Sequence, residues 1–95
     1  MHTVVRHYKG AAKLIDELGQ RSADIEKLIR EIPGFVAYYL VRSADGGYSV
    51  SVFEDRAGTE ESTRRAANYL KENLSSLALS PPEILDGESI IDFAR

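Results

Sequence analysis

His2 and His7 are the only side chains of this 95-residue chain whose ordinary titration lies near neutrality. His7 falls within a run that reads as a β-strand. In a pocket between sheet and helices it would serve as a general base toward a phenolic substrate. A lone strand histidine also fits a structural or interface role. His2 lies at the start of the chain, where fraying is expected, and takes no role. Tyr8, Tyr38, Tyr39, Tyr48 and Tyr69 could line a cavity for an aromatic ligand, their hydroxyls fixing a polar substituent, or they could pack a core and an interface. Tyr38 and Tyr39 are strand neighbours and point to opposite faces, so one faces the helices. The sequence leaves open which. Thr59 and Thr63 fall on the inner face of a helix, placed either to reach a cavity or to bond back to their own backbone. Asn68 sits roughly 140° around that helix from the apolar stripe and reads as solvent-facing. No metal is expected, because the carboxylates are dispersed and no His/Cys/Asp/Glu set has ligand spacing. No glycine-rich phosphate loop or nucleophile-elbow serine occurs.

These residues must be positioned by a single domain, since 95 residues leave no room for a second core. An apolar fraction of 43% favours a packed globule, and the absence of cysteine leaves that core without disulfides. The net charge of −3 is spread along the chain. Arg64-Arg65 has Glu60-Glu61 close by, which reads as a solvated helix face rather than a phosphate-binding cluster. No apolar run approaches membrane-spanning length. The expectation is a cytoplasmic protein with no nucleic-acid or membrane partner.

His2 to Lys9 is rich in β-branched and aromatic residues and ends at Gly10, as a first strand should. From Ala11 to Ile32 the apolar positions 11, 14, 15, 18, 25, 28, 29 and 32 follow helical spacing. Because the stripe keeps phase across Gly19 and Ser22, the pattern predicts one helix with room for a kink there. Pro33-Gly34 ends it. Phe35–Arg42 and Tyr48–Glu54 are strand-length runs joined through Asp45-Gly46-Gly47, a hairpin signal. Asp55 is placed to cap a second helix, whose inner face carries Thr59, Thr63, Ala66, Ala67, Leu70, Leu74 and Leu77. After Pro81-Pro82, Glu83-Ile84-Leu85 together with Ile90-Ile91-Asp92-Phe93 reads as the last strand, with Gly87 as the place for a bulge. The order β-α-β-β-α-β predicts an α+β, ferredoxin-like sandwich. Its four-stranded antiparallel sheet would run 4-1-3-2, with two helices on one face.

Two helices leave the other face of that sheet bare. Strand two does not alternate between apolar and polar: Phe35, Ala37, Tyr39 and Val41 form one set, and Val36, Tyr38 and Leu40 the other. A bare apolar face of this kind marks an interface, and a face-to-face homodimer is the expectation.

The Pro-Gly-Phe-x-x-Tyr lead into strand two resembles the antibiotic biosynthesis monooxygenase-like proteins of the dimeric α/β-barrel superfamily. So do the hairpin, the Val-Phe-Glu exit from strand three and the acidic start of the second helix. The resemblance spans nearly the whole chain and is strongest from Ile32 to Asn73. It implies a dimeric α/β barrel. It also places Phe53 where oxygenases of this group carry an aromatic pocket residue. Members that degrade haem carry a histidine near the positions held here by Ser62 and Thr63, so no haem and no other cofactor is expected. The ligand-binding candidates are therefore Tyr38, Tyr39, Phe53, Thr59 and Thr63, with His7 as the candidate catalytic residue. The leading functional expectation is a dimer that binds a small aromatic molecule without turnover. A cofactor-independent monooxygenase acting on a phenolic or polycyclic aromatic comes next, and a regulatory or interaction domain third. Gly47–Phe53 faintly echoes an RNA-recognition strand, but the stacking aromatics and basic charge of that fold are missing.

Overall fold

A computed structural model describes residues Met1–Arg95. Strand β1 (His2–Lys9) leads into helices α1 (Ala12–Gln20) and α2 (Ser22–Arg30), followed by the hairpin β2 (Phe35–Ser43) and β3 (Gly46–Phe53). Helix α3 (Arg56–Asn73), a 3₁₀ turn at Ser75–Leu77 and strand β4 (Glu83–Glu88) complete the chain. The sheet order is β2-β3-β1-β4 and every pairing is antiparallel, as the ferredoxin-like reading requires. No helix is long and apolar enough to cross a membrane.

The three helices pack on one face of the sheet, α1 and α2 toward β2 and β3, α3 toward β1 and β3. The core forms there, from Tyr8 of β1, Leu14, Ile15 and Leu18 of α1, Ile25 and Ile29 of α2, Ile32, Phe53 and Leu74. Two glycines let backbones approach this core. A Cβ on Gly47 would come within 2.6 Å of the Ile15 side chain, and one on Gly58 within 2.6 Å of the Phe53 side chain. Asp55 caps α3 as expected, its carboxylate accepting from the Gly58 N–H at 3.2 Å.

Four expectations are corrected. The segment after β1 is two helices, so three rather than two helices cover the sheet. Arg21 leaves helical geometry at φ −111°, ψ 29°, and its N–H bonds the Leu18 carbonyl, three residues back. Gly19 and Ser22, both weak helix formers, flank this elbow, and an apolar stripe that stays in phase does not reveal it. The second correction concerns Phe35. A bulge between Phe35 and Ala37 shifts the register, so Phe35 packs on the core with Tyr38 and Leu40 instead of sharing the Tyr39 face. Third, β4 pairs with β1 without a bulge at Gly87 and stops at Glu88, leaving Ile90, Ile91 and Phe93 89%, 73% and 94% exposed. Finally, His2 is buried rather than frayed.

On the face away from the helices, the strand alternation places Val5, Ala37, Tyr39, Val41, Tyr48, Val50, Val52 and Leu85 together. The open face is therefore apolar at its centre, from β2 across to Leu85 of β4, with Thr3, His7 and Glu83 toward its ends.

Candidate functional site

The inward residues of β1 are His2, Val4, Arg6 and Tyr8, all buried. Arg6 is 2% exposed, a cation on the apolar side of the sheet. Its strand partner is Ser49, so the two side chains stand side by side on the inner face. Nε donates to Ser49 Oγ at 3.2 Å and Nη2 to Ser51 Oγ at 2.8 Å. Nη1 donates to Thr63 Oγ1 at 2.9 Å and to Ser62 Oγ at 3.3 Å. Strand β3 and helix α3 thus hold the guanidinium with four neutral hydroxyls. None of the chain's ion pairs involves it.

Beside Arg6 lies a cavity of about 20 Å³, room for a water-sized group, lined by Tyr8, Tyr38 and Ser49 from the sheet and by Leu28, Ala66 and Tyr69 among the helical residues. Burial pushes the phenols of Tyr8 and Tyr38 above the ordinary tyrosine range, with Arg6 drawing both partly back, so both stay neutral at physiological pH. Next to it runs an open groove of about 420 Å³ between the α1–α2 elbow and β2. Leu18, Ile25, Ile29 and Tyr38 line both spaces, so the cavity and the groove adjoin. At the groove's edge Arg30 lies over the Phe35 ring, 5.2 Å from its centroid. The arrangement can take an apolar ring in the groove and present one of its polar substituents to the tyrosines and Arg6.

Of the residues singled out by sequence, Tyr38 lines this site, while Tyr39 is 59% exposed on the open face. Thr63 reaches it through its bond to Arg6. Phe53 is wholly buried in the core, edge-on to Phe35 at 5.9 Å between centroids. Thr59 lies along α3 from the cavity; its Oγ1 is 2.6 Å from His2 Nδ1 and donates to the Arg56 carbonyl. His7 stands on the sheet's other face, its Nε2 3.2 Å from a carboxylate oxygen of Asp45. It borders a separate depression of about 620 Å³ with Lys9, Lys13, Leu77 and Pro81. Asn68 is exposed, as read. Arg6, with its cradle of Ser49, Ser51 and Ser62, was not among the residues the sequence singled out. The signal was present in the alternation of β1, which puts Arg6 in phase with Val4 and Tyr8.

The inner face of α3 does not fit a haem. It presents Thr59, Ser62, Thr63 and Ala66, and Tyr69 turns its hydroxyl outward to donate to Asp24 at 3.3 Å.

No protein-family model matches the chain, and no curated protein does either. Solved structures do. The haem-degrader MhuD of Mycobacterium tuberculosis, with two haems in its active site, superposes with a TM-score of 0.71 at 17% identity over 99% of this chain and 100% of its own. The ActVA-Orf6 monooxygenase of Streptomyces coelicolor, in complex with nanaomycin D, gives 0.64 at 24% identity, covering 99% of this chain and 90% of that one. SnoaB, a cofactor-independent oxygenase of Streptomyces nogalater, gives 0.62 at 23% identity, covering 99% and 97%. This chain therefore has the ferredoxin-like α+β fold of the antibiotic biosynthesis monooxygenase-like proteins. The resemblance read from its sequence holds at the level of fold.

Proposed function

We propose that this protein is a homodimer that binds a small aromatic molecule between its helices and its sheet. The observation that carries the reading is the apolar groove of about 420 Å³ that shares Tyr38 with a cavity bearing buried phenols. Its size falls within the range of small-molecule sites, roughly 300–1,000 Å³, and its walls are apolar with few polar groups, as such sites require. The dimer forms through the open sheet face, where a second copy would bury the apolar side chains of all four strands. The neighbours in fold that bind haem or nanaomycin D support a cavity of this kind in this scaffold. The cytoplasm is the compartment expected for it.

A thermal-shift screen with aromatic quinols, polyketide-like phenols, flavin and haemin tests the reading. A ligand at 100 times its Kd adds ~2.7 kcal/mol, a shift of roughly 10 °C or more for a domain of this size. Stabilisation by phenols or quinols is expected, and a flat response across all classes would refute the reading.

The second reading is turnover: a cofactor-independent oxygenase in which an electron-rich, ionised phenol itself reduces oxygen. The desolvated cation beside the cavity favours it, because such a site stabilises the phenolate that must form. His7, the candidate catalytic residue read from the sequence, stands on the opposite face of the sheet and borders a different depression, so it does not reach a phenol bound beside Arg6. Oxygen uptake with any phenol that binds tests turnover, and His7→Ala should leave that uptake unchanged. Uptake lost with His7→Ala would overturn this placement and return His7 to the mechanism.

A further inference from the structure

We infer that Arg6 is an anion subsite, so that the ligand is an aromatic acid bound with its carboxylate or phenolate oxygen in the cavity beside the guanidinium. The inference rests on the aromatic-ligand reading and names the chemical class that reading leaves open. A buried cation is strongly unfavourable unless an anion or a full set of hydrogen bonds compensates it. Here hydroxyls supply hydrogen bonds, and no carboxylate of the chain pairs with the guanidinium. Ser49, Ser51, Ser62 and Thr63 hold the guanidinium in place without cancelling its charge. The two acids nearest the cavity, the phenols of Tyr8 and Tyr38, are kept neutral by burial and do not cancel it either. The Arg21, Arg30, Arg42, Arg64 and Arg65 side chains all meet carboxylates near the surface. Arg6 is the one buried arginine, and no carboxylate pairs with it.

Space and polarity agree with this assignment. The cavity beside Arg6 has room for an oxygen, not a ring, at about 20 Å³. The ring's room is the adjoining groove, which shares Leu18, Ile25, Ile29 and Tyr38 with the cavity. A ligand that spans both lays its apolar body under the elbow and places its charged oxygen where the protein has a preorganised cation. That oxygen would be desolvated and charge-assisted, which favours the ionised form of the ligand over the neutral one.

Matched probes test it. Titration calorimetry with 2-naphthoate and its neutral isostere 2-naphthamide is run on the wild type, Arg6→Lys and Arg6→Met, each checked for folding by circular dichroism. The wild type is expected to prefer the carboxylate at least about tenfold, the scale of one charge-assisted hydrogen bond. Arg6→Met should lose that preference while still binding the amide, and Arg6→Lys should retain part of it. A second readout needs no variant. 4-Nitrophenol bound to the wild type should show its yellow phenolate band about one pH unit lower than when free, the same tenfold preference read spectroscopically. Equal binding of acid and amide, or an unshifted nitrophenol titration, overturns the anion subsite and leaves the aromatic site standing. Failure of every probe to bind overturns both.

Discussion

Val50 is the position at which the proposed dimer can be tested most sharply. It sits in β3, opposite Val5 on one side and Tyr39 on the other, at the middle of the open sheet face. In a lone protomer Val50 is only half-buried, so Val50→Asp costs the monomer about 1 kcal/mol of strand preference. In a face-to-face dimer the carboxylate is desolvated among the apolar side chains around Val5, Tyr39 and Val50, at ~3–5 kcal/mol. Twofold symmetry places the same defect in both protomers, so the dimer loses ~6–10 kcal/mol. At ~1.4 kcal/mol per tenfold, Kd rises by roughly four to seven orders of magnitude. Light scattering or sedimentation at micromolar concentration should therefore give a dimer mass for the wild type and a monomer mass for the variant. Circular dichroism should confirm that the variant still folds, with its melting point lowered by about 4–8 °C. A wild type that runs as a monomer, or a Val50→Asp variant that remains a dimer, would refute the argument.

Other perturbations separate the parts of the molecule. Gly58→Ala drives a methyl against the Phe53 side chain, which has no room to yield, and should cost about 1–3 kcal/mol in denaturant unfolding despite the better helix propensity of alanine. Asp55→Ala removes the α3 cap and should cost ~1 kcal/mol in the same assay, with Asp55→Asn retaining most of it. Arg64 and Arg65 lower the Glu61 carboxyl to about 2. Its contribution to α3 is thus complete above the unfolded value near 4.5 and disappears as pH falls toward 2; an NMR titration should show that low midpoint, and Glu61→Gln should flatten this limb of the stability profile. Tyr38→Phe should alter ligand affinity without changing the oligomeric mass, whereas Tyr39→Ser should weaken the dimer and spare the ligand; reversed effects would show that the two faces are wrongly assigned.

What was legible in the sequence is what periodicity and turn chemistry encode. The β-α-β-β-α-β order, the stop at Pro33-Gly34 and the Asp55 cap lead to the observed sheet because each is a local signal of one element. The failures have physical causes too. Phe35 changes faces because one bulged residue reverses strand phase, and nothing in a uniformly apolar strand marks where the bulge lies. The elbow at Arg21 is invisible to a stripe that resumes in register. Ile90, Ile91 and Phe93 read as strand by composition, yet the β1–β4 ladder ends at His2 opposite Glu88 and residues 90–93 extend past it with no strand alongside. Within the site, attention to histidine and tyrosine passed over Arg6. Its meaning comes from the burial of Val4 and Tyr8 on either side and from hydroxyls supplied by β3 and α3, far along the chain.

The elbow at Arg21 and the strand position of Arg6 belong to different layers of the fold, and this divides the work of recognition. Arg6 and Ser49 are held opposite each other by the sheet ladder, where a slip of one residue would turn every side chain of the strand to the wrong face. The elbow lies outside any ladder, and length or residue changes there leave the register untouched. In the proposed site, the outline of a ligand's apolar body is therefore free to drift with the elbow, through evolution or by engineering. A demand for a negative charge at its inner end would persist as long as the sheet itself.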